Sequence, residues 1–227
     1  MSDLAAPRIA LVHALEESVL PIRAAFAQIW PEAATFDLLD TSLAPDRAAA
    51  GHCDAGIVAR FKALGRYAAD HPGSSGPTRA LLFTCSAFGP AIDAVRDDLP
   101  IPVFKPNEAA FREALAIGPR VGLCVTFEPS LASLSAELEA EAARARVPLD
   151  ITPVLVSGAL AALKAGDAEA HDAAVQAACR GLRGLDVLVL GQFSLARAAP
   201  GLADLPFPVV TTPGSAVRAL RDLFERL

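Results

Sequence analysis

A cysteine at the end of an apolar strand is the residue best suited to chemistry in this sequence. Residues 81–84 read Leu-Leu-Phe-Thr, and Cys85 follows directly, before a stretch with helical spacing. Such a run is typical of a buried parallel strand, and ligands bind at the carboxyl ends of strands in open α/β sheets. Because a helix N-terminus lowers the pKa of a thiol, we predict a thiolate at Cys85 that acts as a base or nucleophile.

The stretch around Cys85 recurs later in the chain. Residues 188–194 match residues 81–87 in pattern, and Gln192 takes the place of Cys85. Residues 99–103 likewise recur as residues 205–209, where LPIPV becomes LPFPV. A third pair aligns residues 8–18 with residues 120–130. Three matches in the same order indicate two similar lobes.

Strands alternate with helical patterns along both lobes. This order predicts right-handed crossovers and parallel sheets covered on both faces, hence an α/β fold of two flavodoxin-like lobes with four-stranded sheets. We assign residues 1–105 and 212–227 to the first lobe and residues 106–211 to the second. Residues 40–55, rich in Ala, Asp and Gly, are interpreted as a loop. We expect the last helix to pack on the first lobe and the active site to lie between the lobes.

Polar side chains follow the strand ends of both lobes. Glu16 and Ser18 in the first lobe correspond to Glu128 and Ser130 in the second. Each pair begins a helix, where unpaired backbone amides attract anions, so the sequence favours a small carboxylate as ligand. The candidate substrate-binding residues are Glu16, Ser18, Ser86, Ala87, Thr126, Ser130, Gln192, Phe193 and Ser194.

Composition excludes several classes of protein. Hydrophobic residues make up 53% of the 227-residue chain, enough for buried cores. The net charge of −6 without a basic cluster argues against a nucleic-acid partner. The chain lacks an apolar run of about 18 residues, and its first residues do not resemble a signal peptide, so we expect no membrane partner and a cytoplasmic location.

The four cysteines show no metal-type spacing, and we predict no metal site. Cys124 and Cys179 fall within a predicted strand and helix and are interpreted as packing residues. Cys53 lies in the predicted loop, where an incidental surface thiol is the more common interpretation and a second reactive thiol the less common one.

The duplicated lobes resemble the aspartate/glutamate racemase superfamily, which also contains hydantoin racemases, maleate isomerases and arylmalonate decarboxylases. Three stretches carry the resemblance, which extends over nearly the whole chain: Thr84-Cys85-Ser86, residues 125–130 and residues 190–192. It implies an isomerase of amino-acid metabolism that acts on a small carboxylate without a cofactor. Relatives are often dimers, so a homodimer is compatible with it.

The second catalytic position departs from the superfamily pattern. Racemases of this group place one cysteine on each face of the substrate's α-carbon, and Cys85 matches the first. The second motif, usually Gly-Cys-Thr, is Gly191-Gln192-Phe193 here. A glutamine cannot exchange a proton at neutral pH, although its amide can hydrogen-bond a carboxylate or an enolate oxygen.

Three mechanisms therefore stay open. The first is racemisation or epimerisation by Cys85 with a different second base, for which Glu128 or Glu16 qualifies if burial raises its pKa. The second is cis–trans isomerisation by thiolate attack of Cys85 on a double bond. The third is one-thiol decarboxylation of a malonate-type acid. A carboxylate-binding protein without turnover is the alternative outside enzymes.

Overall fold

The computed structural model describes residues 6–226 of the chain and contains two four-stranded parallel sheets. The first has the order β2-β1-β3-β4 and the second the order β6-β5-β7-β8. The identical orders confirm the predicted α/β fold with two flavodoxin-like sheets. The strands are β1 Arg8–His13, β2 Ala34–Leu39, β3 Thr78–Phe83, β4 Val103–Phe104, β5 Arg120–Val125, β6 Asp150–Leu155, β7 Val187–Leu190 and β8 Val209–Thr211.

All helices except the last lie between consecutive strands, as parallel pairing requires. They are α1 Val19–Ile29, α2 Leu43–Ala50, α3 Ala55–Asp70, α4 Gly89–Arg96, α5 Glu108–Ile117, α6 Glu128–Ala145, α7 Ala159–Lys164, α8 Ala168–Arg180 and α9 Thr212–Glu225. Three 3-10 segments, Glu16–Ser18, Ser86–Phe88 and Phe193–Leu202, follow β1, β3 and β7. The chain divides into two compact units, one comprising Met1–Pro106 with Val217–Leu227 and the other Asn107–Ala216.

The core of the first unit holds the end of β3 in place. The Phe61 ring of α3 packs against Phe83 at a centroid distance of 5.2 Å and against Phe88 at 4.8 Å. All three side chains are buried. Because Phe83 and Phe88 lie on either side of Cys85 in the sequence, their burial fixes the backbone that presents the thiol.

The end of β7 in the second unit is fixed by close backbone packing. The Gly191 amide donates to the Cys124 carbonyl at 2.9 Å. A Cβ atom added at Gly191 would lie 3.1 Å from that carbonyl oxygen and 3.1 Å from Leu123 Cδ1. Glycine therefore allows β7 to lie close to β5 at the point where Gln192 begins.

The predicted loop over residues 40–55 is wrong, because it contains helix α2. Pro45 lies in the first turn of this helix, where a missing amide costs no hydrogen bond. Outside the helix, Arg60 of α3 bonds Asp40 at 2.6 Å and ties the segment to the unit. Composition rich in alanine and aspartate therefore indicated a loop where tertiary contacts support a helix.

The end of α9 packs within the first unit. The Phe224 ring lies 5.7 Å from the Trp30 ring, and Arg221 donates to the Ile29 carbonyl at 3.0 Å. The start of α9 belongs to the second unit, where the Ser215 hydroxyl donates to Glu113 of α5 at 2.6 Å. Within residues 6–226, none of the helices has the length and apolar character needed to cross a bilayer.

Candidate active site

Cys85 stands at the carboxyl end of β3, as the sequence predicts. Its backbone is extended, with φ −115° and ψ 123°, and it precedes the 3-10 turn Ser86–Phe88. The side chain is partly exposed and packs against the core of the first unit. Cys85 thus keeps part of its surface in contact with solvent, while its backbone is anchored by buried neighbours.

The prediction that Cys85 is a thiolate is wrong. Burial raises the pKa of its thiol to about 11; the Ala87 amide, which donates to the sulfur, opposes that rise, whereas the nearby Cys53 and Glu17 add to it. The element that directly follows the cysteine is a three-residue 3-10 turn. The hydrogen bond from the Ala87 amide lowers the pKa by less than burial raises it. Cys85 is therefore a protonated thiol near neutral pH, which suits it to donate a proton.

A buried polar network lies behind the thiol and is centred on His13, the last residue of β1. His13 Nδ1 lies 2.8 Å from the Thr84 hydroxyl and 3.2 Å from the Ser18 hydroxyl. The two hydroxyl oxygens are 3.0 Å apart, and Ser18 also donates to the Leu15 carbonyl at 2.7 Å. The network therefore links Thr84, which precedes Cys85, with Ser18, which follows Glu17.

The other ring nitrogen of His13 faces an acid. His13 Nε2 lies 2.8 Å from Asp37 Oδ1, and Arg23 bonds the second oxygen of Asp37 at 2.6 Å. Because a carboxylate only accepts, the neutral ring carries its proton on Nε2 and accepts at Nδ1 from Thr84. Burial lowers the pKa of His13, although the Asp37 hydrogen bond opposes that shift. His13 is thus a neutral, satisfied residue that positions the strand end.

Gln192 occupies the corresponding place at the carboxyl end of β7. Its backbone is extended, with φ −134° and ψ 147°, before the 3-10 segment Phe193–Leu202. The side-chain oxygen accepts from the Thr126 amide at 2.7 Å and from the Thr126 hydroxyl at 2.8 Å. These two bonds fix the amide plane, and its NH₂ group has no hydrogen-bond partner among the described residues.

The remaining predicted site residues divide by exposure. The hydroxyl residues and Phe193 are buried, and so have little surface to offer a ligand: Ser18, Ser86, Ser130, Phe193, Ser194. Ala87 is partly buried, and Thr126 is buried with its hydroxyl on Gln192. Glu16 and Glu128 are exposed, so the burial on which a role as second base depends is absent from both.

Two residues near Cys85 were not among the predicted site residues. Glu17 is partly buried and interacts with the Cys85 thiol, whereas Glu16 points to solvent. Cys53 was interpreted as a surface thiol, but it is partly buried and packs on the same core as Cys85. Asp54 could have indicated that Cys53 has a defined backbone, since an aspartate before an apolar helix is typical of an N-cap.

No group of three or more metal-ligating side chains clusters within the described part of the chain. All four cysteines are free thiols. Cys124 and Cys179 are buried in the second unit with their sulfur atoms 3.9 Å apart, away from solvent. Their burial accords with the packing role that the sequence indicates.

Comparison with protein families shows the family of the chain. Residues 21–220 match the family model described as Asp/Glu/hydantoin racemase. Because the match covers most of the sequence, the chain belongs to the Asp/Glu/hydantoin racemase family. A search of curated sequences gives no match.

Solved structures of racemases share the fold. The glutamate racemase of Bacillus anthracis has a TM-score of 0.70 at 14% identity, covering 98% of this chain and 83% of its own. The allantoin racemase of Pseudomonas fluorescens has a TM-score of 0.70 at 17% identity, covering 96% and 91%. The aspartate racemase of Picrophilus torridus has a TM-score of 0.68 at 11% identity, covering 91% and 89%.

Family membership therefore supports racemase activity on amino-acid-like substrates, as the sequence resemblance implied. An isomerase is supported, whereas the decarboxylase alternative receives no support. The identities below 20% show a common fold and do not transfer a substrate.

Proposed function

We propose that this chain is a cofactor-independent racemase or epimerase of a small, amino-acid-like carboxylate, in which Cys85 moves the α-proton. The observation that carries the proposal is the partly exposed cysteine at the carboxyl end of β3, the ligand-binding edge of a parallel sheet. The family contributes the reaction class, and the position of the thiol contributes the residue.

Inversion at a carbon needs one group to remove a proton and another to return it. With a pKa raised to about 11, Cys85 is present mostly as the thiol at neutral pH. A thiol donates its proton to a carbanion and becomes a thiolate, which the Ala87 amide hydrogen-bonds. In the reverse direction the same thiolate removes the α-proton. After each turnover one of the two proton-transfer groups therefore carries a proton and the other does not.

The orientation of Gln192 supports recognition of a carboxylate or enolate oxygen. Thr126 occupies the oxygen of its amide with two hydrogen bonds, which leaves the NH₂ end as the donor. A preorganised donor stabilises negative charge without reorganising during the reaction. Gln192 therefore acts in the proposal as a binding residue rather than as an acid or base.

The structural neighbours suggest a substrate class to test. The structural neighbours are racemases of glutamate, aspartate and allantoin, none of which has an aromatic side chain. Phe88 and Phe193, which follow β3 and β7, are buried and present no face for stacking, whereas Phe127, which follows β5, is exposed. We therefore propose an aliphatic acid or a ureido acid as substrate.

Deuterium incorporation measured by proton NMR in heavy water tests this proposal. The panel comprises both enantiomers of acidic amino acids, ureido and hydroxy acids, and an unsaturated dicarboxylic acid. We expect exchange at the α-carbon of at least one member, followed by inversion in chiral chromatography. Cys85→Ser should lower the rate by about a hundredfold to ten-thousandfold, the usual contribution of a general acid or base.

Cys179→Ala is the control, because it removes a buried thiol of the second unit. Its exchange rate should equal that of the wild type. Conversion of the unsaturated acid without α-exchange would instead support thiolate attack on a double bond. Ligand binding without turnover, retained in Cys85→Ser, would support the carboxylate-binding alternative and contradict a racemase.

A further inference from the structure

Cys53 is held in a short linker between two capped helices. Gly51, at the end of α2, has φ +73° and donates to the Arg47 carbonyl at 3.1 Å. The Asp54 side chain accepts from the Ile57 amide at 2.8 Å and caps α3. Because only His52 and Cys53 lie between these caps, the backbone of Cys53 has little freedom.

The two thiols of the first unit converge on one peptide residue. Cys53 Sγ lies 3.7 Å from the Ala87 carbonyl oxygen, to which its thiol donates. The amide of the same Ala87 donates to the Cys85 sulfur. Both cysteines are partly exposed, and both pack against the same core. The two cysteines therefore converge on Ala87 at the carboxyl edge of the first sheet.

From this convergence we propose that Cys53 is the second proton-transfer residue of the enzyme, in place of the thiol that Gln192 lacks. The inference rests on the proposed racemase function. One sulfur, as thiolate, takes the α-proton: a C–H bond breaks and an S–H bond forms. The other, as thiol, returns a proton to the opposite face: an S–H bond breaks and a C–H bond forms. No electrons are gained or lost overall.

The two carboxylates that the sequence suggested as a second base offer a weaker group than Cys53. Glu128 and Glu16 are exposed, and water at an exposed carboxylate competes for the proton. Cys53 is partly buried near Cys85, and with two thiols either sulfur can begin a turnover. The buried pair Cys124 and Cys179 provides a contrast, since neither reaches solvent.

A bridging reagent tests the proximity of the thiols without any substrate. Dibromobimane fluoresces once both of its bromides are displaced: two C–S bonds form, two C–Br bonds break, and two bromide ions leave. The folded wild type should form a bridge that peptide mapping assigns to Cys53 and Cys85. Cys53→Ser and Cys85→Ser should each abolish it, whereas His52→Gln, in the same linker, should leave it intact. Absence of the bridge in wild type overturns the proposal.

Exchange kinetics on separate enantiomers test the role. In Cys53→Ser, interconversion should fall by at least about a hundredfold, while exchange persists for the enantiomer whose proton faces Cys85. Interconversion at the wild-type rate in Cys53→Ser, together with its loss in Cys85→Ser, overturns the role of Cys53 and leaves the proposed function intact. Loss of exchange with both enantiomers in a folded Cys53→Ser protein also overturns the proposal that Cys53 acts on only one face of the α-carbon. No exchange in wild type, even with a bridge, overturns the proposed function and this inference with it.

Discussion

The carboxyl edges of the two sheets have nearly the same backbone and different chemistry. After β3, the Thr84 amide donates to the Val12 carbonyl at 3.0 Å; after β7, the Gly191 amide donates to the Cys124 carbonyl at 2.9 Å. The next residue is extended in both cases and precedes a 3-10 segment. Duplication has thus preserved the frame, and the side chain placed on it decides whether the edge can move a proton.

The two edges also differ in what stabilises them. At the first, buried His13 ends β1 and bonds hydroxyl and carboxylate partners. At the second, Val125 takes the corresponding position, is buried, and needs no polar partner. The Gln192 side chain instead bonds Thr126. The buried imidazole is a titratable group that makes the first edge depend on pH, whereas the Gln192–Thr126 pair of the second edge contains none.

Replacing His13 by valine, the residue at the corresponding position of the second edge, should have the largest effect on stability. His13→Val removes the hydrogen bonds of Thr84 and Ser18 to the ring and leaves space where the ring was. Asp37 keeps Arg23, and the two hydroxyls keep each other, so the loss stays moderate. We expect the free energy of unfolding to fall by about 1 to 3 kcal/mol in urea titrations.

His13→Gln is the matched control, because its amide can still donate to Asp37. It should lose less stability than His13→Val and should keep more of the activity that depends on Cys85. Equal stability of His13→Val and the wild type would show that the network contributes nothing to the first edge.

The second largest difference between the two edges should be the pH dependence of stability, which His13 gives to the first edge. The unfolded chain protonates His13 near its ordinary pKa of 6.5, whereas burial, opposed by Asp37 and aided by Arg23, lowers the pKa in the folded state. As pH falls below about 6.5, the unfolded state binds the extra proton first, so the free energy of unfolding decreases. Above that pH the contribution is fully present.

Urea titrations between pH 7.5 and about 5 measure this slope, above the range in which carboxylates titrate. His13→Gln should show a flatter profile than the wild type over the same interval. A wild-type profile that rises on acidification would contradict the assignment of a neutral, buried His13.

The smallest effect is expected at the second edge. Thr126→Val removes one of the two hydrogen bonds that hold the Gln192 oxygen, and the backbone amide keeps the other. Stability should fall by about 0.5 to 1.5 kcal/mol in thermal or urea denaturation. Thr126→Ser, which retains the hydroxyl, should match the wild type, and a loss as large as that of His13→Val would remove the contrast between the edges.

Much of the fold could be predicted from the sequence. Apolar runs of strand length, separated by helical periods, repeat twice in the same order, and covered parallel sheets are the arrangement that buries them. The loop predicted for residues 40–55 was wrong because Arg60 of α3 bonds Asp46 of α2, a contact that periodicity within the segment does not reveal. The prediction was correct where the pattern itself demands burial.

The candidate site was predicted in part. The position of Cys85 follows from its place after an apolar strand, and the substitution of its counterpart by Gln192 follows from the repeat. The ionisation of Cys85 does not, because desolvation depends on the atoms that surround the sulfur, and these come from several elements.

The sequence by itself thus determined the duplicated frame, the thiol at the end of β3 and the amide at the end of β7. Only the tertiary structure decided that His13 joins Asp37, Thr84 and Ser18, and that Cys53 meets Cys85 at Ala87. The physical reason is range: periodicity records which residues are buried together along one element, whereas hydrogen bonds and pKa values depend on atoms that folding brings in from distant parts of the chain.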